Sequence, residues 1–382
     1  MKKPILIIIA ILVLAAGISL ISSQNKPGGE SPISKLEKQN LNSENKNDLP
    51  RASIVAESLE VPWALVFLPD KSILVTERPG RVRLIDNQGN LFATPLLEIS
   101  VVRKIQGEGG LHGITIDPDF EENKFVYLYY TYENQGSRSL NRVSRYTFDG
   151  KSLSSEKIIV DSIPGALFHD GGRIKFGPDK LLYITTGDAQ EPSLAQNRNS
   201  LAGKILRVTP DGKPAQGNPF GTLVYSYGHR NPQGITWDKD GNLWETEHGQ
   251  SAYDELNSIE IGGNYAWPYI QKCSPGTTER PPIPNPKNPT ACSESDTWAP
   301  GGAAYLGGSV YFTGLRGKSL YQAVITGNSA TLKTHFKNEL GRIRDVVVGP
   351  DDMLYITTSN RDGRGNPEPN DDKIIRVNPA KL

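Results

Sequence analysis

The pattern of hydrophobic and polar residues from Ala52 onward predicts short β-strands and almost no helix. Apolar, aromatic and β-branched residues form short runs that end at Gly, Pro, Asp or Asn turns, and helical periodicity is scarce. Residues 168–188 contain this unit in its fullest form. They predict a strand at residues 173–176, a turn at 177–180 and a second strand at 181–186.

The same unit recurs along the chain. Each copy has a short apolar strand, a turn containing Pro-Asp or Asp-Gly, and an aromatic or β-branched strand. Five copies begin at Val66, Ile114, Ile174, Ile235 and Val347, and a degenerate copy begins at Gly307. Units spaced roughly 40 to 70 residues apart predict a six-bladed β-propeller of antiparallel blades. A β-sandwich is the competing fold, but it needs fewer equivalent units.

A propeller gathers its loops at the two ends of a central channel. Residues that stand just before the inner strand of each blade should therefore meet near the axis, although they are distant in sequence. Residues that bind a ligand or take part in catalysis are therefore expected in those loops.

Residues 1–22 are typical of a targeting segment. Lys2 and Lys3 precede an uncharged apolar run at residues 4–21, whose length lies between those of a signal peptide and a membrane-spanning helix. No A-x-A cleavage site follows, which slightly favours an uncleaved anchor over a cleaved signal peptide. Both alternatives place the rest of the chain outside the cytoplasm, because the two lysines stay inside.

Residues 23–50 are polar and lack a hydrophobic period, which predicts a disordered tether. The propeller domain is expected to occupy residues 51–382. The chain has only two cysteines, Cys273 and Cys292, and outside the cytoplasm such a pair usually forms a disulfide. The chain-entropy model gives about 3 kcal/mol for closing a loop of this length.

The chain carries no net charge, which argues against nucleic acid as the main partner. It contains no phosphate-binding glycine loop and no serine-hydrolase elbow, so nucleotide cofactors and serine hydrolysis are unsupported.

Four of the five histidines lie in polar, glycine-containing turns beside the repeats: His112, His169, His229 and His248. Single histidines in turns are most often surface residues, but four near equivalent blade positions should approach one end of the channel. His169 is the best candidate for a general base, since Gly171 and Gly172 allow a ligand close to the backbone and imidazole titrates near neutral pH. The alternative is a structural histidine.

Arginines and acids provide further candidates. Arg342 and Arg344 are two residues apart in an extended segment, so both point to one side and could bind carboxylates. Arg230 and Asn231 suit a polyanionic or quinone-like planar ligand. The acids around Asp254 and the carbonyls of the preceding loop are oxygen ligands of the kind calcium prefers, although their spacing matches no calcium motif. The alternatives are that Arg342 and Arg344 are surface residues paired with acids, that Arg230 and Asn231 only stabilise their loop, and that the acids are solvated.

Several segments together resemble one family. VPWALVFLPD, GEGGLHGITIDPDF, HDGGRIKFGPD, YGHRNPQGITW, EHGQSAYDELNSIEIGGNYAWP and GRIRDVV occur in the order found in the soluble quinoprotein sugar dehydrogenases, the glucose/sorbosone dehydrogenase family. The resemblance extends from about Ala52 to the C-terminus. It implies a six-bladed propeller that uses pyrroloquinoline quinone (PQQ) and Ca²⁺ to oxidise the C1 hydroxyl of aldoses to lactones, with electrons passing to an external acceptor.

The resemblance also implies residue roles. His169 matches the base that removes the proton from the sugar hydroxyl. Independently of the resemblance, the adjacent Asp170 is a candidate for orienting His169, although neighbouring side chains often point apart. Six residues are expected at the cofactor: Glu108, Arg230, Asn231, Arg316, Arg342 and Arg344. The expected calcium ligands are the backbone carbonyls of Gly249 and Gln250 at the cofactor, with Glu255 and Tyr265 at a site near the same loop.

Two positions depart from the family pattern. Glu108 stands where characterised members often have Gln, and its charge could weaken binding of an anionic cofactor unless calcium or an arginine compensates. Gln250 replaces a Pro, which matters little if only its carbonyl is used. A membrane-tethered propeller that binds glycans or proteins without catalysis, and a metal-dependent lactonase, are the alternatives. The histidine and arginines favour the dehydrogenase.

Overall fold

The computed structural model describes residues 48–102, 107–273 and 283–382. These residues form six four-stranded antiparallel sheets arranged as a β-propeller, which confirms the predicted fold. Among the described residues no helix is long and apolar enough to span a bilayer. The predicted targeting segment and almost all of the predicted tether lie outside the described residues.

Strands β2–β13 form the first three blades, each running from the channel outward. Their bounds are β2 Pro62–Phe67, β3 Ile73–Glu77, β4 Arg81–Ile85, β5 Leu97–Glu98, β6 Leu111–Ile116, β7 Phe125–Glu133, β8 Ser139–Phe148, β9 Leu153–Pro164, β10 Ile174–Phe176, β11 Leu182–Thr186, β12 Lys204–Val208 and β13 Val224–Tyr227. The predicted strands of blade 3 are thus found within one residue of their predicted limits.

Blades 4 to 6 follow in the same order, and β1 completes the last one. The bounds are β14 Pro232–Trp237, β15 Leu243–Glu247, β16 Glu255–Ile259, β17 Ala291–Cys292, β18 Pro300–Leu306, β19 Ser309–Gly314, β20 Ser319–Thr326, β21 Ser329–His335, β22 Ile343–Val348, β23 Leu354–Thr358, β24 Ile374–Val377 and β1 Ala52–Ala56. Helices are short: α1 Phe120–Asn123, α2 Ser193–Gln196 and a 3₁₀ turn at Pro379–Lys381.

The second strand of most blades is buried on both faces because neighbouring blades pack against it. Ile73–Glu77, Leu182–Thr186 and Leu354–Thr358 have no residue that is even half-exposed. Apart from Glu77, which pairs with Arg81, these strands consist of apolar and β-branched residues, as burial on both faces favours. The outer strand Ser329–His335 instead alternates between exposed and half-buried residues.

The ring closes between its first and last blades. β1 pairs antiparallel with β24, so the start of the domain supplies the outer strand of blade 6. Val55 of this strand packs in one core cluster with Leu65 and Ile73 of blade 1 and with Tyr355 of blade 6. Leu49, just before β1, is buried in the same cluster.

The degenerate repeat at Gly307 corresponds to the second strand of blade 5, β19. The inner strand of that blade, β18, has the small residues Gly301, Gly302, Ala303 and Ala304, whose sequence lacks the strong apolar signal of the other copies. Cys273 and Cys292 form the predicted disulfide, with their Cα atoms 5.6 Å apart.

Bulges mark one end of the inner strands. The inner strand of every blade except blade 3 shifts register near its first residues, for example between Pro62 and Ala64 and between Ile343 and Asp345. A bulge bends the strand and redirects its side chains, and bulges are common beside active sites. This end of the channel carries the predicted site.

Candidate active site

The loops that precede the inner strands and those that follow the second strands lie at the same end, because adjacent strands are antiparallel. They line two adjoining cavities of about 240 and 430 Å³. The residues that line both cavities are Glu108, His248, Ala299, Arg316 and Arg364. His169 and Arg230 lie on the first cavity, and Arg342 and Arg344 on the second.

His169 is held in place by a buried aspartate. Its Nδ1 lies 2.7 Å from Oδ1 of Asp188, whose side chain is fully buried. The other oxygen of Asp188 accepts a hydrogen bond from Nε1 of Trp267 at 2.8 Å. With its proton on Nδ1, facing the carboxylate, the imidazole presents an unprotonated Nε2, which is the arrangement a general base requires.

The backbone at His169 is constrained as well. Its φ is 65°, an uncommon value for a residue with a side chain. Its N–H donates to Oε2 of Glu108 at 3.0 Å, and its carbonyl accepts from Ala189 at 3.2 Å. Gly187 passes so close to that carbonyl that a Cβ there would lie 1.9 Å from it. The surrounding loops therefore fix this backbone conformation.

The prediction that Asp170 orients His169 is wrong. Asp170 turns into the protein, where its Oδ1 accepts hydrogen bonds from Asn141 and from the backbone of Ala166, each at 3.1 Å. Burial raises the pKa of Asp170 to about 6, against the hydrogen bonds that favour its charged form. The left-handed backbone at His169 directs the two side chains apart, and the carboxylate beside the imidazole is that of Asp188 instead.

Glu108 is compensated by an arginine. Its Oε1 lies 3.2 Å from Nη1 of Arg364, and Arg364 lies over the ring of Phe168. Burial opposes ionisation of Glu108, yet His248, the His169 N–H and Arg364 together lower its pKa to about 2. The charge that this position adds is therefore balanced within the site.

Arg342 and Arg344 both reach the second cavity but have different partners. Arg342 donates through Nε and Nη2 to Asp362, each at 2.8 Å, and through Nη1 to the carbonyl of Leu315 at 3.2 Å. Arg344 donates to the side chain of Gln233 at 2.7 Å, and its buried Nε has no partner. Burial lowers the pKa of Arg344 to about 9. Arg342 is thus braced by a carboxylate, whereas Arg344 retains a donor for a ligand.

Arg230 and Asn231 have donors without partners too. Arg230 donates to the carbonyl of His248 at 3.2 Å and lies over the ring of Trp267, while its buried Nε has no partner. Asn231 is fully buried, accepts from Gly171 at 3.1 Å and leaves its Nδ2 without a partner. Arg316, by contrast, is exposed at the rim of both cavities.

The loop of Gly249 and Gln250 lines the first cavity and is anchored by Asp254. One oxygen of Asp254 accepts from the N–H of Gly249 at 2.9 Å, and the other accepts from the N–H groups of Trp298 and Ala299 at 2.6 and 2.8 Å. Only glycine fits at position 249, because a Cβ would lie 2.0 Å from the carbonyl of Ala252.

Acidic side chains converge behind this loop, on neighbouring strands β15 and β16. Asn257 Nδ2 lies 3.0, 3.5 and 3.1 Å from carboxylate oxygens of Glu245, Glu247 and Glu255, respectively. Ligand atoms of His229, Glu245 and Glu247 lie within 4.8 Å of one another. Burial, followed by the charge of Glu247, raises the pKa of Glu255 to about 8. Tyr265 lies beside this cluster.

Tyr265 can offer a cation only its main-chain carbonyl. Its hydroxyl donates to the carbonyl of Ser258 at 2.7 Å and accepts from the N–H of Glu260 at 2.9 Å. Its ring stacks on His229, with centroids 4.6 Å apart. His229 and His112 are buried behind the cavities, whereas His169 and His248 face them.

Sequence reasoning missed four residues that support the site: Asp188, Gln233, Asp362 and Arg364. Asp188 ends the repeated strand in TTGD, so its position after a second strand was a usable signal. Gln233 and Arg364 make contacts between blades, and Asp362 contacts Arg342 across two loops of blade 6; the repeat pattern encodes none of these contacts.

Comparison with known proteins shows that this propeller is an oxidoreductase. The chain belongs to the glucose/sorbosone dehydrogenase family, whose model matches residues 59–375. The family membership expected from the motifs is therefore confirmed.

Solved structures and relatives agree with this membership. A Thermus thermophilus protein, provisionally named glucose dehydrogenase, is 42% identical with a TM-score of 0.78, and the match covers 86% of this chain and 99% of that one. The PQQ-bound form of aldose sugar dehydrogenase from Streptomyces coelicolor is 40% identical with a TM-score of 0.77, covering 86% and 98%. An uncharacterised Synechocystis protein is 31% identical over 92% of this chain and 96% of its own length.

Proposed function

We propose that the protein is a quinoprotein aldose dehydrogenase that oxidises the C1 hydroxyl of an aldose to a lactone, using PQQ and Ca²⁺. The observation that carries this proposal is the contact of His169 with the buried Asp188, at the edge of a cavity supplied with arginine donors. A carbohydrate-binding or protein-binding propeller has no use for an oriented base beside unpaired buried guanidinium groups.

The residues present fit a carboxylated quinone. Within the described residues, three of the predicted cofactor ligands each have a buried donor without a partner: Arg230 Nε, Asn231 Nδ2 and Arg344 Nε. Buried donors without partners are rare, since each costs about 1 to 3 kcal/mol, and they indicate a ligand that completes them. Arg230, Asn231, Arg344 and the rim residue Arg316 would hold the cofactor, with Arg342 and Glu108 shaping its pocket.

His169 acts on the substrate. Its Nε2 accepts the proton of the C1 hydroxyl while Asp188 stabilises the positive charge that develops on the imidazole ring. The bound quinone supplies the acceptor for the hydride from C1. Arg344 places a guanidinium in a low-dielectric pocket, where it would stabilise negative charge that forms on a bound ligand.

The calcium proposals have separate support. The loop at Gly249 and Gln250 lies against the cavity of His169 and Arg230, and Asp254 holds it rigidly, so its carbonyls are suited to a cofactor-bound Ca²⁺. Glu255 and the carbonyl of Tyr265 would bind a second Ca²⁺. Glu247 and Glu245 would add charge there, since clustered buried carboxylates are stabilised by a divalent cation.

We place the enzyme outside the cytoplasm, with residues 1–22 as a membrane anchor or signal peptide, residues 23–50 as a tether and residues 51–382 as the catalytic domain. Electrons would leave the reduced cofactor for an external acceptor. The two cysteines joined in a disulfide support this location, because such bonds persist in oxidising compartments.

The test is reconstitution of the purified full-length protein with PQQ and Ca²⁺, followed by dye reduction with a panel of aldoses. We expect turnover that requires both additions, and loss of turnover in Arg344→Gln together with weaker PQQ binding measured by calorimetry. Lys239→Met, on an exposed turn far from the site, is the matched control. Absence of both PQQ binding and turnover would contradict the proposal and favour a non-catalytic propeller.

A further inference from the structure

A second cavity lies at the opposite end of the channel. All six inner strands contribute to it, through residues further along each strand than the bulges that mark the active-site end. Its volume is about 380 Å³, which falls within the usual range of roughly 300 to 1,000 Å³ for small-molecule sites.

The walls of this cavity combine apolar and polar groups. The apolar side chains that retain some exposure are Val66, Phe67, Val347 and Val348, and they lie at the mouth, where the cavity opens to solvent. A pocket of this size with a partly apolar wall can hold the body of a small organic ligand.

Two cations lie on one strand of the cavity. Arg173 and Lys175 belong to the inner edge of blade 3, and Asp345 of blade 6 lies opposite. Arg173 Nη1 is 3.1 Å from Oδ1 of Asp345 and its Nε donates to the carbonyl of Gln233 at 2.9 Å, while its buried Nη2 has no partner in the described part of the chain. Among the described residues, Lys175 forms no hydrogen bond or ion pair within contact distance. Together the three groups leave an excess of one positive charge.

This excess lies on the wall of the channel, where Lys175 is only partly exposed and an uncompensated charge carries a desolvation cost. Burial lowers the pKa of Lys175 to about 8; Asp345 acts against this effect and Arg173 adds to it. Arg173, Asp345 and Tyr305 are the other titratable groups that line the cavity. Lys175 remains mainly protonated at neutral pH, so the cavity presents an ammonium group to a ligand, with the buried guanidinium of Arg173 beside it.

We propose that this cavity is a binding site for a small monocarboxylate with an apolar body. The carboxylate would pair with Lys175 and the free Nη2 of Arg173, and the body would rest on the valine and phenylalanine side chains. A neutral ligand would leave the cationic pair uncompensated, and a hydrophilic anion such as phosphate would gain nothing from the walls. The site is separate from the proposed catalytic cavities and does not depend on the reaction assigned to them.

Binding should depend on pH in a defined direction. A bound carboxylate stabilises the protonated form of Lys175, so the affinity for the carboxylate is greatest below the pKa that Lys175 has without ligand. It falls as pH rises above about 8, where the free site loses the proton.

The experiment is calorimetric titration of the full-length protein, loaded with PQQ and Ca²⁺, with benzoate at neutral pH. Benzyl alcohol and inorganic phosphate are titrated in parallel. We expect one benzoate site, with binding at least tenfold weaker for both other probes. Lys175→Met should weaken benzoate binding at least tenfold. Lys180→Met, at an exposed turn of the same blade, should leave it unchanged.

A second variant covers the case in which Lys175→Met does not fold. Val348→Trp leaves Lys175 in place and narrows the cavity, and it should also weaken benzoate binding. Equal benzoate binding by wild type and both cavity variants would overturn the proposal. So would absence of benzoate binding by the wild type, or phosphate binding as tight as that of benzoate.

Discussion

Two buried aspartates lie near His169, and they make different contacts. Only Asp170 is adjacent to His169 in the sequence. Asp188 touches the imidazole, whereas Asp170 is bonded to Asn141 and a backbone amide. Sequence alone singles out His169 as the candidate base, because its flanking glycines and its unrepeated motif stand out. It could not identify Asp188 as the partner, because that contact joins two loops and depends on the φ of 65° at His169.

Replacing Asp188 should damage catalysis without removing the cofactor. Asp188→Asn places an amide beside Nδ1 and no longer favours the tautomer with an unprotonated Nε2. We expect kcat to fall by about 10² to 10⁴, the usual contribution of general-base catalysis, with PQQ affinity nearly unchanged. Steady-state kinetics and calorimetric cofactor titration measure the two effects. A kcat within a few-fold of wild type would contradict the assigned role.

Replacing Asp170 should change the pH dependence of stability. The folded-state pKa is raised to about 6, so between about pH 4 and 6 the unfolded chain loses the proton that the folded chain keeps. Stability therefore falls as pH rises through this window. The wild type should lose about 2 to 3 kcal/mol of its free energy of unfolding across this window, and Asp170→Asn should not. The stability of the variant relative to the wild type should therefore rise with pH. Thermal unfolding at pH 4 and 7 tests this; an unchanged pH dependence would contradict it.

At the scale of elements, β15 and β16 carry the acidic cluster. The repeat pattern predicts β15 but does not mark β16, and it does not reveal that Glu245, Glu247 and Glu255 share one face with Asn257. That follows from their register, in which Glu247 lies opposite Glu255 and Glu245 opposite Asn257. Alternate residues of paired strands point to the same side, so four polar groups meet where two blades pack.

Calcium should therefore stabilise the fold through these strands. Adding Ca²⁺ to chelator-treated protein should raise the unfolding temperature, with a gain of about 2.7 kcal/mol when Ca²⁺ is a hundredfold above its Kd. Glu255→Gln should lose most of that gain, since it removes a proposed ligand. Glu260→Gln, an exposed neighbour paired with Lys287, should keep it. An equal calcium response in wild type and Glu255→Gln would rule out this site.

For the molecule as a whole, the sequence predicted the six blades because the strand–turn–strand unit repeats. The predicted strand bounds in blade 3 lie within one residue of the observed ones, since the Pro-Asp turn fixes where the two strands meet. The inner strand of blade 5 was not predicted, because small residues replace the apolar pattern there. The closing of the ring by β1 was also missed, since no repeat marks a strand that completes a distant blade.

Ring closure should be sensitive to a charge in β1. Val55→Asp buries a carboxylate in the cluster that joins blades 1 and 6, with no cation available to pair with it among the cluster's residues. We expect a loss of several kcal/mol and early proteolytic cleavage near the N-terminal end of the propeller. Lys333→Asp, on the exposed outer strand of blade 5, is the control and should unfold like wild type. Equal stability of the two variants would contradict the closure.

The most direct test of the proposed chemistry is the rate at which an aldose reduces bound PQQ in His169→Gln, measured in a single turnover. Glutamine keeps a polar side chain at the site but cannot accept the proton. The expected result is PQQ binding within a few-fold of wild type and a reduction rate lower by about 10² to 10⁴. PQQ reduction at the wild-type rate in this variant would contradict the assignment of His169 as the base.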